Sequence, residues 1–187
     1  MSGGAAIVAG SAADIDGVMP VMDAAFDPGF GEAWTRGQCL GILSLPDVWL
    51  TLARREDAGI CGFTLARRTF DEAELLLLAV DPPARGRGIG RALVERCARD
   101  AAQRGALKLM LEMRDGNPAV ALYEKAGFAI VGRRKAYYRG QAGRLHDALT
   151  MRCALPDTVS GGRPAHLALP SNERSPYTGN TQGRAER

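Results

Sequence analysis

The segment from Glu74 to Val80, near the middle of the chain, contains a continuous apolar run that begins at Leu75. Such a run predicts a strand that is buried on both faces. The strand ends at Asp81-Pro82-Pro83, because a proline cannot donate a hydrogen bond to a sheet. Two earlier segments, Val48 to Ala53 and Ile60 to Arg67, surround a charged turn that ends in Gly59, and they predict two more strands.

Helical periodicity is clearest between Ile89 and Gln103, where one stripe is apolar and the opposite face is charged. This pattern predicts an amphipathic helix that ends at Gly105. A capping box in Ser11-Ala12-Ala13-Asp14 predicts the start of an earlier helix, in which Pro20 predicts a kink or an early end. A second helix is expected around residues 34–45, after a turn-rich loop.

Alternation in the segment 107–113 separates the two faces of another predicted strand. Four apolar side chains share one face: Leu107, Leu109, Leu111 and Met113. Glu112 lies on the other face, away from this apolar layer, and we expect it to face a cleft. Asn117-Pro118 then predicts the start of a short helix that ends at Gly127.

The length and composition indicate one domain with a substantial core. The chain has 187 residues, of which 46 % are hydrophobic, and single domains commonly have this size. A last pair of strands is predicted at residues 128–134 and 147–155, so we expect the domain to span residues 1–155. Residues 156–187 are rich in Gly, Pro, Ser and Arg and are expected to form a disordered tail.

Charge and cysteine usage exclude several classes of function. A net charge of +3 is too small to favour nucleic acid as a partner. No apolar run reaches the roughly 20 residues of a membrane span, and no signal-peptide pattern is present at the N-terminus. Four scattered cysteines and two histidines give neither a metal site nor a disulfide framework. We expect a cytoplasmic protein without a metal, either monomeric or weakly dimeric.

A glycine-rich turn joins the strand that ends at Val80 to the amphipathic helix. It contains three glycines and three arginines, namely Gly86, Gly88, Gly90, Arg85, Arg87 and Arg91. The glycines let backbone amides approach a ligand closely, and the start of a helix adds its positive dipole end. The three arginines are expected to add positive charge for a pyrophosphate. The turn has neither the Gly-Lys-Ser/Thr of a P-loop nor the spacing of a dinucleotide fingerprint. A pyrophosphate site is the favoured interpretation, and a plain turn is the alternative.

This pattern resembles a known enzyme family. Arg85-x-x-Gly88-x-Gly90 after a strand is similar to the acyl-CoA-binding signature of the GNAT N-acetyltransferases. Asn117 and the segment from Ala121 to Phe128 resemble the other marker of that superfamily. The resemblance covers about residues 5–155. It implies a GNAT fold, which is an α/β domain with a mixed, mostly antiparallel sheet, a splayed strand pair and flanking helices.

Further segments resemble the RimI-type ribosomal-protein-alanine N-acetyltransferases. They are Glu32 to Thr35, Leu111 to Arg114, Arg134 to Tyr138 and Asp147 to Met151. The resemblance implies transfer of acetyl from acetyl-CoA to a protein N-terminal amine, with the alanine of a small-subunit ribosomal protein as acceptor. Two features depart from the pattern. The spacing from Asn117 to Tyr123 is one residue shorter, and His146 replaces a glutamate.

The resemblance also implies a role for each matching residue. Cofactor contacts would come from the backbone of Leu78, Ala79 and Val80, from Gly86, Arg87, Gly88, Ile89, Gly90 and Arg91 at the pyrophosphate, and from Asn117. Glu112 would be the general base, acting through water, and Tyr123 the acid that protonates the departing sulfur. The acceptor would contact Trp34, Tyr137 and Tyr138.

Alternatives remain open for the residues and for the function. A strand glutamate is most often solvated, and a helix tyrosine or a lone tryptophan is most often part of the core. The acceptor could instead be a small-molecule amine or a lysine side chain. A protein that binds acyl-CoA as a sensor without catalysis is a further alternative. Direct transfer is favoured over a cysteine intermediate, because Cys97 lies on the apolar stripe of its helix.

Overall fold

The computed structural model describes residues 4–139 and 145–157. The helices and strands, in chain order, are β1 (Ala6–Gly10), α1 (Ile15–Ala25), α2 (Arg36–Leu43), β2 (Val48–Arg55), β3 (Gly59–Thr69), β4 (Glu72–Val80), α3 (Ile89–Gln103), β5 (Lys108–Arg114), α4 (Val120–Lys125), β6 (Ala129–Arg139) and β7 (Leu145–Ala154). In this part of the chain the strands form one sheet, in the order β1-β2-β3-β4-β5-β7-β6.

The sheet is antiparallel at every junction except the one between β4 and β5. These two parallel strands pair only where Glu72–Leu75 faces Lys108–Leu111. Beyond Leu75 the strands separate, while β4 stays paired with β3 as far as Val80 and β5 stays paired with β7 as far as Arg114. The predicted fold class is therefore confirmed, including the splayed strand pair.

A β-bulge at Leu76 changes which face of the sheet each β4 side chain meets. Leu77 and Leu75 pair with the consecutive β3 residues Leu65 and Ala66, which leaves Leu76 without an opposite residue. Leu75 consequently packs in the core cluster beneath α3, whereas Leu77 packs with α1 on the other face. An extra residue in one strand reverses the alternation in this way. Both faces of β4 are covered, as the apolar run predicts.

Several predicted boundaries differ from those of the structure. Helix α1 continues past Pro20 to Ala25, because proline within the second turn removes a single hydrogen bond without preventing the helix from packing. The fourth helix starts at Val120 instead of Asn117. Strand β6 continues to Arg139, beyond the predicted end at residue 134, with a register shift and a positive φ of 53° at Ala136.

Further outcomes concern the first strand, the helices and the tail. Strand β1 pairs with β2, although the sequence pattern did not predict a strand there. Among the described residues, no helix has the length and the hydropathy needed to cross a membrane. Most of the predicted tail, from residue 158 onward, lies outside the described residues, so its disorder stays a prediction.

Candidate active site

The separation of β4 from β5 opens a cleft with a volume of about 840 Å³. Most of the candidate residues line it: Trp34, Leu78, Ala79, Val80, Gly86, Gly88, Ile89, Gly90, Arg91, Glu112, Asn117 and Tyr123. Segments far apart in the sequence meet here, namely the end of α1, both splayed strands and the starts of α3 and α4. The structure thus brings together the glycine turn, the strand acid and the helix tyrosine.

The open edge of β4 presents backbone groups to the cleft. The Asp81 amide donates to the Cys61 carbonyl (2.9 Å), so alternation directs the peptide groups of Ala79 toward β3 and those of Leu78 and Val80 toward β5. The Val80 carbonyl accepts a hydrogen bond from the Arg85 Nε (3.1 Å). Of the three residues predicted to hold a ligand by their backbone, Ala79 instead uses its polar groups within the sheet.

The start of α3 leaves amide groups for an anion. Gly88 is the N-cap in a left-handed conformation, with φ of 79°, and no side chain caps this helix. The Ala92 amide donates to the Gly88 carbonyl (3.0 Å), so the first-turn amides of Ile89, Gly90 and Arg91 precede the ladder of helical hydrogen bonds. Outward amides at the positive end of a helix dipole form an anion site.

The arginines of the turn behave differently from the prediction that all three add charge for a phosphate. The Arg85 guanidinium donates to the carbonyls of Val80 and of Ala25 (3.2 Å), and it therefore joins the end of β4 to the end of α1. The Arg91 Nε lies 2.7 Å from the Glu95 carboxylate. Arg87 is exposed and is not among the residues that line the cleft.

Glu112 faces the cleft, as the alternation of β5 predicts. Its carboxylate forms an ion pair with Arg134 on β6, and the Glu112 side chain retains 20 % of its exposure. The Arg134 guanidinium in turn lies 4.0 Å from the centre of the Tyr137 ring. The hydrogen bond to Glu112 raises the pKa of Arg134, so this partner stays charged. Water can reach the carboxylate while the arginine fixes one of its oxygens.

Tyr123 lies at the boundary between the cleft and the core. It is only 7 % exposed, and its ring meets the edge of Phe128 at a centroid distance of 5.7 Å. Burial raises the pKa of the Tyr123 hydroxyl well above its usual value of 10. The hydroxyl therefore keeps its proton throughout the neutral range, as a proton donor requires. The burial agrees with the core interpretation, and the residue also lines the cleft, while its role as an acid stays a prediction.

The opposite wall of the cleft contains residues that the sequence prediction missed. Phe30 and Glu32 line the cleft beside Trp34. The Arg114 Nε donates to the Glu32 carboxylate (3.2 Å), and its guanidinium carbon lies 3.6 Å from the centre of the Phe30 ring. Glu32 and Arg114 both belong to segments that resemble the RimI-type group, so their positions in those segments were the available signal.

The remaining candidates occupy the edges of this region. Asn117 uses its side-chain oxygen to accept from the Ala119 amide (2.9 Å), which stabilises the turn before α4. Tyr137 is 51 % exposed and contacts Arg134, but it does not line the cleft, because β6 is the outer strand of the sheet. The Tyr138 side chain lies outside the described residues. The His146 and Phe30 rings form a T-shaped contact with their centroids 5.5 Å apart.

The thiols of the chain are poor nucleophiles. Three of the four cysteines are buried and the fourth, Cys153, is half-buried. None of them is among the cleft-lining residues in the described part of the chain. Burial raises the pKa of the Cys97 thiol from 9.0 to about 12, and the thiolate is the nucleophilic form.

Comparison with known proteins identifies the family. Residues 22–128 match the model of the acetyltransferase (GNAT) family, and this range is more than half of the chain. The chain belongs to the GNAT acetyltransferase family. The predicted family and enzyme class are therefore confirmed, and the chain is an N-acetyltransferase.

Individual relatives of this GNAT acetyltransferase differ in their acceptors. A ribosomal protein bS18-alanine N-acetyltransferase of Haemophilus influenzae is 36 % identical over 107 residues, which cover 57 % of this chain and 73 % of that protein. The crystal structure of the ribosomal-protein-S18-alanine N-acetyltransferase from Escherichia coli matches with a TM-score of 0.71 and 26 % identity, over 87 % of this chain and 99 % of that one. A streptothricin acetyltransferase of Streptomyces lavendulae is 36 % identical over 103 residues, 54 % of each chain.

Proposed function

We propose that the protein transfers acetyl from acetyl-CoA to the α-amine of a protein N-terminus, with the N-terminal alanine of ribosomal protein S18 as the acceptor. One observation supports this most directly. A single cleft has uncapped helix amides at one end, an open strand edge along its length and the carboxylate of Glu112 facing it. The match to the Haemophilus influenzae S18-alanine N-acetyltransferase covers 73 % of that protein, whereas the match to streptothricin acetyltransferase covers 54 % of that one.

Acetyl-CoA would bind along the open edge of β4. The pyrophosphate would accept hydrogen bonds from the amides between Gly86 and Arg91, where the helix dipole favours negative charge. The amide groups of the pantetheine arm would pair with the peptide groups of Leu78 and Val80, as a short additional strand. The amide nitrogen of Asn117 could donate to the same ligand, since its side-chain oxygen is already used.

The chemistry requires a neutral amine and a protonated leaving group. Glu112 would accept a proton from the acceptor ammonium through a water molecule. The amine nitrogen would then attack the thioester carbonyl, forming the C–N bond, and the C–S bond would break. Tyr123 would donate its proton to the departing thiolate and regain one from solvent, while the nitrogen and Glu112 would each release a proton to solvent. Direct transfer suits this site, because the buried thiols offer no acyl carrier.

The acceptor is tested by a panel of substrates. The full chain is incubated with acetyl-CoA and with peptides that begin with Ala, Ser or Met, with a blocked peptide that has only a lysine amine, and with streptothricin. Mass spectrometry then locates the acetyl group. We expect the α-amine of the alanine peptide to be modified fastest. Modification of lysine or streptothricin alone would overturn the proposed acceptor. Streptothricin is included because the chain is similar to a streptothricin acetyltransferase.

A second experiment separates an enzyme from a non-catalytic acyl-CoA sensor. Glu112→Gln keeps the size of the side chain and removes the base, so turnover should fall by about 10²–10⁴-fold. Acetyl-CoA affinity should change little, because the carboxylate lies outside the glycine turn. A sensor would bind acetyl-CoA and show no turnover in either protein.

A further inference from the structure

The segment of residues 26–35 joins α1 to α2 and forms one wall of the cleft. Its backbone hydrogen bonds in the described part of the chain are local. The Phe30 amide donates to the Asp27 carbonyl (3.1 Å), and the Gly31 amide donates to the Pro28 carbonyl (3.3 Å). These bonds shape the segment without joining it to the sheet. Side chains must therefore determine how close this wall lies to the splayed strands.

Arg114, at the end of β5, makes two contacts with this wall. Its Nε donates to the Glu32 Oε1 (3.2 Å), and its guanidinium carbon lies 3.6 Å from the centre of the Phe30 ring. The side chains of Arg114 and Glu32 retain only 11 % and 16 % of their exposure. A planar guanidinium can form an ion pair at its edge and stack on a ring with its face. Low exposure strengthens both interactions.

A second strand supports the same ring. His146, on β7, packs in a T-shaped contact with Phe30, with the two ring planes at 79°. Phe30 is therefore held from β5 by a cation and from β7 by an imidazole. Arg114 is also only two residues from Glu112, so the contact that fixes the wall starts on the strand that presents the proposed base.

We propose that Arg114 is a positioning residue for the acceptor. By binding Glu32 and Phe30, it holds residues 26–35 against β5 and so fixes the wall that the incoming amine meets. This inference rests on the proposed function, because the proposed reaction places the acceptor amine beside residues 26–35. Arg114 contacts Glu32 and Phe30 rather than the glycine turn or the open edge of β4, so we expect acetyl-CoA affinity to stay close to that of the wild type.

The test replaces each partner and measures both substrates separately. Arg114→Met should raise KM for the acceptor peptide about tenfold, since a hydrogen bond between charged groups is lost. The change in kcat and in acetyl-CoA Kd should stay below about twofold. Glu32→Gln should give a similar effect, and the double variant should be no worse than either single one. Arg67→Met is the matched control, because it breaks an exposed pair with Glu74 and neither of these residues lines the cleft.

Hydrogen exchange gives a readout that does not depend on the acceptor. Amides in the peptide of residues 26–35 should exchange faster in Arg114→Met than in the wild type or in Arg67→Met. Unchanged exchange together with an unchanged acceptor KM would overturn the inference, as would a parallel loss of acetyl-CoA affinity and thermal stability. If the wild type modifies no peptide, the proposed function fails, and exchange still shows whether Arg114 holds the wall.

Discussion

Replacing Gly88 with alanine tests the anion site at the start of α3. Gly88 has φ of 79°, and a Cβ built there meets no protein atom within 4 Å. The substitution therefore causes no steric clash with the protein. Its two consequences are backbone strain and a methyl group placed where the proposed pyrophosphate would approach the amides.

Both consequences have an expected size. A left-handed conformation costs an L residue about 1–2 kcal/mol, and the lower entropy of alanine in the unfolded chain offsets about 0.4–1 kcal/mol of that. The free energy of unfolding should thus fall by about 1 kcal/mol, or about 2–4 °C in Tm. Loss of one hydrogen bond to a charged phosphate, about 1.5–3 kcal/mol, should weaken acetyl-CoA binding by about 10- to 100-fold.

Gly59→Ala provides the control. Gly59 has φ of 67°, its added Cβ also meets no atom within 4 Å, and it is the first residue of β3 and does not line the cleft. Calorimetric titration with acetyl-CoA and thermal unfolding are measured for both variants. Equal destabilisation with a selective loss of affinity in Gly88→Ala is expected. If Gly88→Ala binds acetyl-CoA as tightly as Gly59→Ala does, the reasoning about the turn is refuted.

Three further predictions concern the proposed chemistry and the core. Tyr123→Phe should reduce turnover without changing acetyl-CoA affinity, and steady-state kinetics with unchanged kcat would remove its role as the acid. Arg134→Gln should lower kcat about tenfold, because Glu112 loses the charged partner that orients it. Arg133 is on the same strand but pairs with Asp115 and Asp147, so Arg133→Gln should leave kcat unchanged. Equal kcat in the two variants would contradict this prediction. Because the pKa of the Cys97 thiol is raised to about 12 in the folded protein, the unfolded chain loses the thiol proton at a lower pH than the folded one. The free energy of unfolding should therefore fall by about 1.4 kcal/mol per pH unit between pH 9 and pH 12. Urea unfolding of Cys97→Ala should lack that part of the slope, and parallel slopes would show that the thiol contributes nothing.

The parts of the site that follow from local pattern could be predicted from the sequence. Glu112 faces the cleft because side chains alternate along a strand. The glycine turn precedes α3 because its glycines accept positive φ, at Gly86 and Gly88. These rules need only neighbouring residues, and they hold for β5 and for the start of α3, whereas the bulge at Leu76 reverses the alternation of β4.

The parts that depend on distant contacts could not be predicted in this way. Glu32 and Arg114 are 82 residues apart, and neither position has a local pattern that indicates a partner. Arg85 was expected at a phosphate, yet it hydrogen-bonds two carbonyls at the ends of β4 and α1. Tyr137 is expected to contact the acceptor; it lies exposed on the outer strand β6, and this role stays a prediction. The Arg114 and Arg85 contacts both join segments that are distant in the sequence, so neighbouring residues alone do not indicate them.

The bulge at Leu76 connects the fold to the proposed reaction. Strands β4 and β5 could separate after Leu75 because each keeps a partner on its other side, β3 and β7 respectively. The separation leaves the inward peptide groups of Leu78 and Val80 without a strand to pair with, apart from the carbonyl that Arg85 binds. Unpaired backbone groups in a cleft are costly unless water or a ligand binds them. The amide-containing arm of acetyl-CoA has the donors and acceptors to do so, and the uncapped helix beyond it would bind the phosphates. The same distortion that interrupts the sheet would therefore provide the proposed binding surface.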